Sequence, residues 1–589
     1  MMRKHTAIIV ILFLAALLRF NNLMWGSGNY FHPDENNMAR SITQMKFENS
    51  LHPDFFAYGQ LPLYMSFFSG VLSNSVAHVG SLIVTPGEND PLTVSLPQAI
   101  FWLRFWSAAM SVISVYFVFG IAKTLVSKLY ALLAALLTAC TPGLIQAAHF
   151  GTTESLLTYF FLLILFFCIR IIQSKSDSVS SNRLVLLLGI AFGLSVGVKL
   201  TAVYFFVPIG MTLLIHFIRI RAQKRPIALV HRLLLTLLLT VSISIGYIIS
   251  SPHNLISYKQ FEDSMRYELD VAQGLDVFYT RQFEDTVPIL FQITHILPYA
   301  LGWVLFVIGS ISLLYALFKI IWHLFHFHTA NRTPILILVI LLISFFSFFI
   351  PNSILYVKWT RFLTPVFPLF SIFTVLMVSS LMKSVKQHID HNYKTFRYLF
   401  LLTFSGIIVI CLIPGIWYSR MYAQEDTRVQ VSSWIYENIP PGSYILSETA
   451  NVVDIPVSIT GRDADEVLSS ESYGYKVISF NFYELDREPI LKYDLIDHLE
   501  KADYIFVPSR RIFMNHQKFP EKYPLLDTYY EALFDGSLGF ELVHVEQPVL
   551  IDERAEETWT VFDHPTIRIY NKTTPKTRNE YGTILESNI

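Results

Sequence analysis

Charge and cysteine are what this chain has least of. Only 15% of its 589 residues are Asp, Glu, Lys or Arg, against about 25% in soluble domains, while 53% are hydrophobic and the mean hydropathy is +0.45. That balance excludes a single soluble globule and excludes a disordered chain. A formal net charge of -1 argues against a nucleic-acid binder, so no nucleic-acid partner is expected. The three cysteines, Cys140, Cys168 and Cys411, all lie in apolar runs and read as small core residues, which leaves neither a disulfide framework nor a thiolate metal cluster. No Walker or Rossmann glycine pattern occurs, so nucleotide binding is unsupported. Internal repeats and low-complexity linkers are also missing.

What the chain does have is apolar length. A spanning helix needs about 20 apolar residues. Runs that meet or approach this are 6–24, 97–122, 130–148, 155–172, 184–198, 200–218, 233–251, 288–320, 334–351, 362–382 and 399–418, which predicts about eleven spans. Residues 61–84 are read as lying along the membrane surface, because Pro62, Asn74, Ser75 and His78 dilute them. The expectation is a polytopic α-helical membrane protein with a C-terminal extracytoplasmic α/β domain. A transmembrane domain would cover 1–423, with outer loops 25–96 and 252–287, and a soluble domain 424–589.

The small net charge hides a division. Through Arg420 there are 29 Lys and Arg against 16 Asp and Glu, a balance of +13; from Met421 onward 15 against 29 gives −14. The bias of Lys and Arg toward cytoplasmic loops sets the orientation. With the N-terminus cytoplasmic and Arg3 and Lys4 inside, the inner loops carry Lys123 and Lys128; Arg170, Lys175 and Arg183; Arg219, Arg221, Lys224, Arg225 and Arg232; and Lys383, Lys386, Lys394 and Arg397. Only Asp177 and Asp390 among the membrane-part acids then fall inside. The first span has no small-residue cleavage site and reads as an anchor. In the tail a helix near 428–438 and strands at 443–448, 503–508 and 565–571 predict an α/β fold. Asn571-Lys572-Thr573 is a glycosylation sequon on the outer side of that topology.

Chemistry has few places to sit. The first outer loop reads His32-Pro33-Asp34-Glu35, adjacent carboxylates just beyond a span. Mutual repulsion and partial burial raise the pKa of such a pair and suit one member to general-base work; the competing reading makes Asp34 the start of a helix 35–47. Glu154, in His149-Phe150-Gly151-Thr152-Thr153-Glu154, abuts an apolar run and should face a polar cavity, or else open its helix with Thr152 or Thr153 as cap. Arg19, Arg104, Lys199, Lys358 and Arg361 sit at outer helix ends against the positive-inside trend. Each alone is explained by snorkelling; a ring of them facing Asp34 and Glu154 would bind a phosphate. No cofactor is certain, although His32, Asp34 and Glu35 could hold a divalent metal ion.

The order of these features resembles the membrane-embedded C-type glycosyltransferases that use a polyprenyl-phosphate sugar donor, in particular the protein O-mannosyltransferase and aminoarabinose-transferase superfamily. The resemblance covers about residues 6–420. It rests on His32-Pro33-Asp34-Glu35, an aromatic–proline helix Tyr58-Gly59-Gln60-Leu61-Pro62-Leu63-Tyr64, Arg104, Glu154, Gly193-Leu194-Ser195-Val196-Gly197-Val198-Lys199 and Lys358-Trp359-Thr360-Arg361-Phe362-Leu363-Thr364-Pro365. The outer segment Tyr279-Thr280-Arg281-Gln282-Phe283-Glu284-Asp285-Thr286 is similar to bacterial members. Two features depart from the family: Glu154 stands where Asp is usual, and the tail 424–589 is not the sugar-binding module of the eukaryotic enzymes.

The resemblance implies inverting transfer of a sugar from a polyprenyl-phosphate donor to an acceptor hydroxyl or amine on the outer face of the membrane, with a protein, lipid or glycan as acceptor and membrane lipids as neighbours; the tail and the loop motifs point to a plasma (inner) membrane, with the endoplasmic reticulum as the alternative. It assigns Asp34 as general base, Glu35 to orienting the loop or the acceptor, and Glu154 to the acceptor side. Arg104, Lys199, Lys358 and Arg361 would hold the donor phosphate. The alternative is a transporter or flippase of a polyprenyl-linked sugar, which should carry ionisable groups at the bilayer midplane and broken helices in paired halves. The charges here sit at helix ends.

Overall fold

The computed structural model describes residues 6–81, 90–174, 179–222, 228–326, 332–388, 394–449, 452–460, 467–549 and 551–586. Arg3, Lys4, Lys175, Asp177, Lys224, Arg225 and Asp390, which bear on the expected orientation, lie outside the described residues. The chain divides into two compact units: one of residues 1–23, 34–270 and 287–420, the other of 24–33, 271–286 and 421–589.

The first unit is helical and polytopic. Among the described residues eight helices are long and apolar enough to cross a membrane: Leu96–Ala122, Glu154–Gln173, Leu200–Ile220, Leu229–Ser250, Trp303–Phe325, Thr333–Ile354, Thr360–Val385 and Leu402–Met421. A ninth is a bent pair, Lys128–Ala139 and Pro142–His149, meeting at 53°. Two further runs from the eleven form shorter apolar helices, Thr6–Phe20 and Ser181–Val196. Leu61–Ser81 is a helix of 21 residues that does not reach the apolarity of the spans.

The run 288–320 is not one helix. A π-turn at Gln292–Ile296 and a short helix Leu297–Leu301 end at Gly302, whose φ of +76° no L-residue adopts cheaply, and the span starts afresh at Trp303.

The bend at 140–141 has a local cause. Pro142 has no N–H to give the carbonyl of Thr138, so the helix must restart. Arg19 fills the gap: its guanidinium donates to the carbonyls of Ala139 at 2.8 Å, Thr138 at 3.2 Å and Ala15 at 3.3 Å, and to Ser111 Oγ at 2.7 Å. Its side chain is fully buried. Arg19 is therefore a cap for a broken helix inside the fold.

The second unit carries the strands. In chain order they are β1 Tyr444–Glu448, β2 Ile459–Thr460, β3 Val467–Leu468, β4 Lys476–Phe480, β5 Tyr504–Val507, β6 Phe540–Glu546 and β7 Ile567–Lys572. Five form one sheet in the order β4-β1-β5-β7-β6, with β1 parallel to β4 and β5 and β7 antiparallel to β5 and β6; β2 and β3 pair by themselves. Successive side chains point to opposite faces. Leu446, Ile505 and Tyr570 pack on one face with Leu495, Leu499, Leu526 and Tyr530, while Ile445, Phe506 and Ile569 pack on the other with Val431 and Ile435. The helix Thr427–Asn438 covers the second face and opens on Asp426, whose carboxylate accepts from the Arg428 N–H at 2.9 Å.

Candidate functional site

The adjacent acids are sorted by a helix that begins at Pro33, the favoured first position, and puts Asp34 and Glu35 in its first turn near the positive end. Because they are neighbours on a helix, they point different ways.

Glu35 points into the unit and is fully buried. Arg104, also fully buried, grips it with a two-pronged contact, Nη2 to Oε1 at 2.6 Å and Nε to Oε2 at 2.9 Å. The N–H of Gly151 donates to Oε2 at 2.6 Å, and Arg104 Nη1 donates to the Leu23 carbonyl at 3.0 Å. Gly151 is required by space: a Cβ there would lie 2.7 Å from Leu103 Cβ and 3.0 Å from Glu35 Oε2. The clamp thus fastens the acidic helix to the span Leu96–Ala122 and to the turn before Glu154. Arg104, expected on the donor phosphate, instead has its charge answered by Glu35.

Asp34 stays partly accessible, its side chain 23% exposed. Its Oδ2 accepts from the Tyr58 hydroxyl at 3.0 Å and pairs with the guanidinium of Arg361. That guanidinium lies 5.3 Å from the Trp359 ring centroid. Lys199 bridges to the third acid: its Nζ lies 3.0 Å from Glu154 Oε1, and 5.0 and 5.1 Å from the ring centroids of Tyr58 and Phe362. Thr153 occupies the cap position of the helix Glu154–Gln173 without a side-chain cap bond, and its hydroxyl donates to Glu154 Oε1 at 3.2 Å.

Two glycines bring Tyr58 and Lys199 together. The Gly59 N–H donates to the Val198 carbonyl and the Leu61 N–H to the Gly197 carbonyl, each at 3.0 Å. A Cβ on Gly59 would lie 2.1 Å from the Gly197 carbonyl oxygen, so this pairing needs glycine at 59, while a Cβ on Gly197 would lie 1.9 Å from Ser250 Oγ on its other side. Residues 58–60 are therefore outside the helix, and the helix expected over 58–64 starts at Leu61. Gln60 locks the arrangement, donating to Asn254 Oδ1 at 2.9 Å and accepting from the His253 N–H at 3.1 Å.

Asp34, Tyr58, Arg361, Phe362, Lys199 and Glu154 are thus one connected group of contacts. Lys358 approaches on the same chain segment as Arg361. Its ammonium donates to the Tyr356 carbonyl at 2.8 Å, and burial holds its pKa below the usual lysine value.

Sequence reasoning passed over Glu268, on the helix Tyr258–Gln273. Burial raises its carboxyl pKa, and the charge of Lys199 acts against that rise. Nothing in the local pattern of that amphipathic helix distinguishes it from neighbouring acids.

Two other expected features fall in the second unit. His32 belongs to the second unit, where its ring lies 5.4 Å from that of Phe562. Among the described residues no group of three or more His, Cys, Asp and Glu side chains is placed to hold a metal ion. Arg281 of the outer segment is also in the second unit, donating to the Tyr483 carbonyl at 2.8 Å and to His516 Nε2 at 3.0 Å.

Residues 95–245, about a quarter of the chain, match the family described as dolichyl-phosphate-mannose-protein mannosyltransferase. No curated protein sequence matches the chain. Among solved structures it is similar to the archaeal oligosaccharyltransferase AglB from Archaeoglobus fulgidus in complex with an inhibitory peptide and a dolichol-phosphate, with TM-score 0.49 and 12% identity over 89% of this chain and 72% of that one. It is similar to ArnT from Cupriavidus metallidurans bound to undecaprenyl phosphate, with TM-score 0.45 and 14% identity over 97% and 99%. The Pmt1–Pmt2 protein O-mannosyltransferase complex of S. cerevisiae bound to the sugar donor matches at TM-score 0.30 and 13% identity, over 44% and 34%.

Proposed function

We propose that this chain is a membrane glycosyltransferase that moves a sugar from a polyprenyl-phosphate carrier to an acceptor hydroxyl or amine, with inversion, on the outer face of the plasma (inner) membrane. The observation that carries the reading is Asp34 held between Tyr58 and Arg361, next to the Lys199–Glu154 pair. The matched family stretch supports the same class of chemistry. The basic loops support a cytoplasmic N-terminus and an external acidic domain.

Asp34 takes the proton of the acceptor as its oxygen or nitrogen attacks the anomeric carbon. The bond from that carbon to the phosphate oxygen breaks on the opposite side, and the carrier leaves as polyprenyl phosphate. Arg361 gives the order of events. It pairs with Asp34 in the structure, and the donor's phosphodiester offers it two non-bridging oxygens that share one negative charge and match its fork, with a second charge appearing as the sugar leaves. Donor binding draws Arg361 off and frees the base.

Lys199 and Lys358 add point charges as negative charge grows on the leaving phosphate. Glu154 keeps Lys199 oriented and lines the acceptor side. Glu35 and Arg104 act by fixing the acidic helix.

The test incubates purified protein with radiolabelled polyprenyl-phosphate hexose and candidate protein, lipid and glycan acceptors. Label should pass to an acceptor with wild-type protein. It should fail to pass with Asp34→Asn while expression and unfolding remain unchanged. Full transfer by Asp34→Asn would refute the assignment.

A further inference from the structure

A cleft of about 530 Å³ opens in the C-terminal unit, lined by Gln424, Glu425, Gln430, Glu546, Gln547 and His564. Its size is that of a small-ligand site. His564 marks it as built. The residue is 4% exposed, yet its Nε2 has no hydrogen-bond partner, and its backbone sits at φ +35°, a conformation costly for a side chain.

The other edge of the ring is held firmly. Nδ1 lies 2.6 Å from Asp563 Oδ1, Asp563 Oδ2 accepts from the Tyr422 hydroxyl at 2.8 Å, and the ring stacks on Trp25 with centroids 6.0 Å apart. Burial works against charge on His564, but Asp563 and Asp426 outweigh it and raise its pKa. A buried polar nitrogen costs stability unless something meets it.

The lining selects among ligands by charge. An anion would face Glu425 and Glu546; a cation would face an imidazole biased toward its charged form. A neutral molecule rich in hydroxyls, each both donor and acceptor, can use three amides, two carboxylates and the imidazole together. We propose that this cleft binds a neutral saccharide through its ring hydroxyls. No residue of the Asp34 group lines this cleft.

The test uses full-length protein in lipid nanodiscs free of glycolipid and sugar detergent, titrated with fluorescently tagged maltose, cellobiose and mannobiose. At least one should bind saturably, be displaced by its untagged form, and weaken at least tenfold in the double variant Gln424→Ala, Gln547→Ala, whose two side chains are exposed. Asp34→Asn should bind as wild type, whether or not it transfers sugar. No saturable binding, binding unchanged in the double variant, loss of binding in Asp34→Asn, or tighter binding of tagged spermidine than of any disaccharide would each overturn the proposal.

Discussion

Replacing Glu35 with Gln tests the clamp that positions the site. Glu35 receives three hydrogen bonds of 2.6, 2.9 and 2.6 Å, and both it and Arg104 are fully buried. The amide keeps the volume but removes the charge and turns N–H groups toward a guanidinium that also donates. An orphaned buried charge costs about 3–5 kcal/mol. Arg104→Met should cost a similar amount, by stranding Glu35. The double variant has no stranded charge, so its cost should fall at least ~2 kcal/mol below the sum of the two single costs.

Denaturant unfolding of the four proteins in one detergent measures the cycle, and transfer assays run beside it. Because Gly151 hangs on the same carboxylate, Glu35→Gln should lower kcat more than it raises the donor KM. Additive single costs, within ~0.5 kcal/mol, would mean that Glu35 and Arg104 do not hold one another and that the clamp is not the link.

Arg361→Lys keeps the charge and loses the fork, and should reduce kcat/KM by about 30- to 1,000-fold, with donor KM rising more than acceptor KM in steady-state assays. Arg19→Leu takes the guanidinium from the Ala139 carbonyl, a loss worth about 1–3 kcal/mol, and leaves the Thr138 carbonyl and the Ser111 hydroxyl only the Thr141 N–H at 3.4 Å and the Leu144 carbonyl at 3.3 Å, so folded yield should fall. Adding Pro142→Ala should recover part of that yield, because an N–H at 142 can reach the Thr138 carbonyl; size-exclusion of detergent extracts reads both.

His516 is nearly fully buried; burial, reinforced by the charge of Arg281, pushes its pKa down to about 4 from 6.5, and its Nε2 accepts from Arg281 while Nδ1 donates to the Ile512 carbonyl at 2.8 Å. A lowered histidine pKa gives stability that is present above pH 6.5 and lost as pH falls toward 4. At 1.36 kcal/mol per pH unit this amounts to about 3 kcal/mol. Hydrogen exchange of the helix Arg511–His516 should therefore quicken over that interval, and His516→Gln should flatten the dependence.

The spans were legible because twenty apolar residues in a row have few uses other than crossing a bilayer. The strands β1, β5 and β7 and the helix Thr427–Asn438 fall within a residue or two of their expected places, since β-branched and aromatic runs bounded by turns are local signals. Sheet order is not local, and β6 went unmarked because Glu541, His544 and Glu546 break up its apolar residues. In the site, the acids and cations are legible in the sequence but their partners are not. Position at a helix end looks the same for Arg19, which caps carbonyls, for Arg104, which answers Glu35, and for Arg361, which meets Asp34. The meeting of Tyr58 with Lys199 depends on Gly59 and Gly197, nearly 140 residues apart, and only the fold reveals that spacing.

Arg19 and Pro142 also constrain how this chain can drift. A lineage that lost the proline would be left with a sunken cation no longer needed by the mended helix; one that lost the cation would be left with a gap nothing else closes. The two positions should therefore change together more often than separately across descendants.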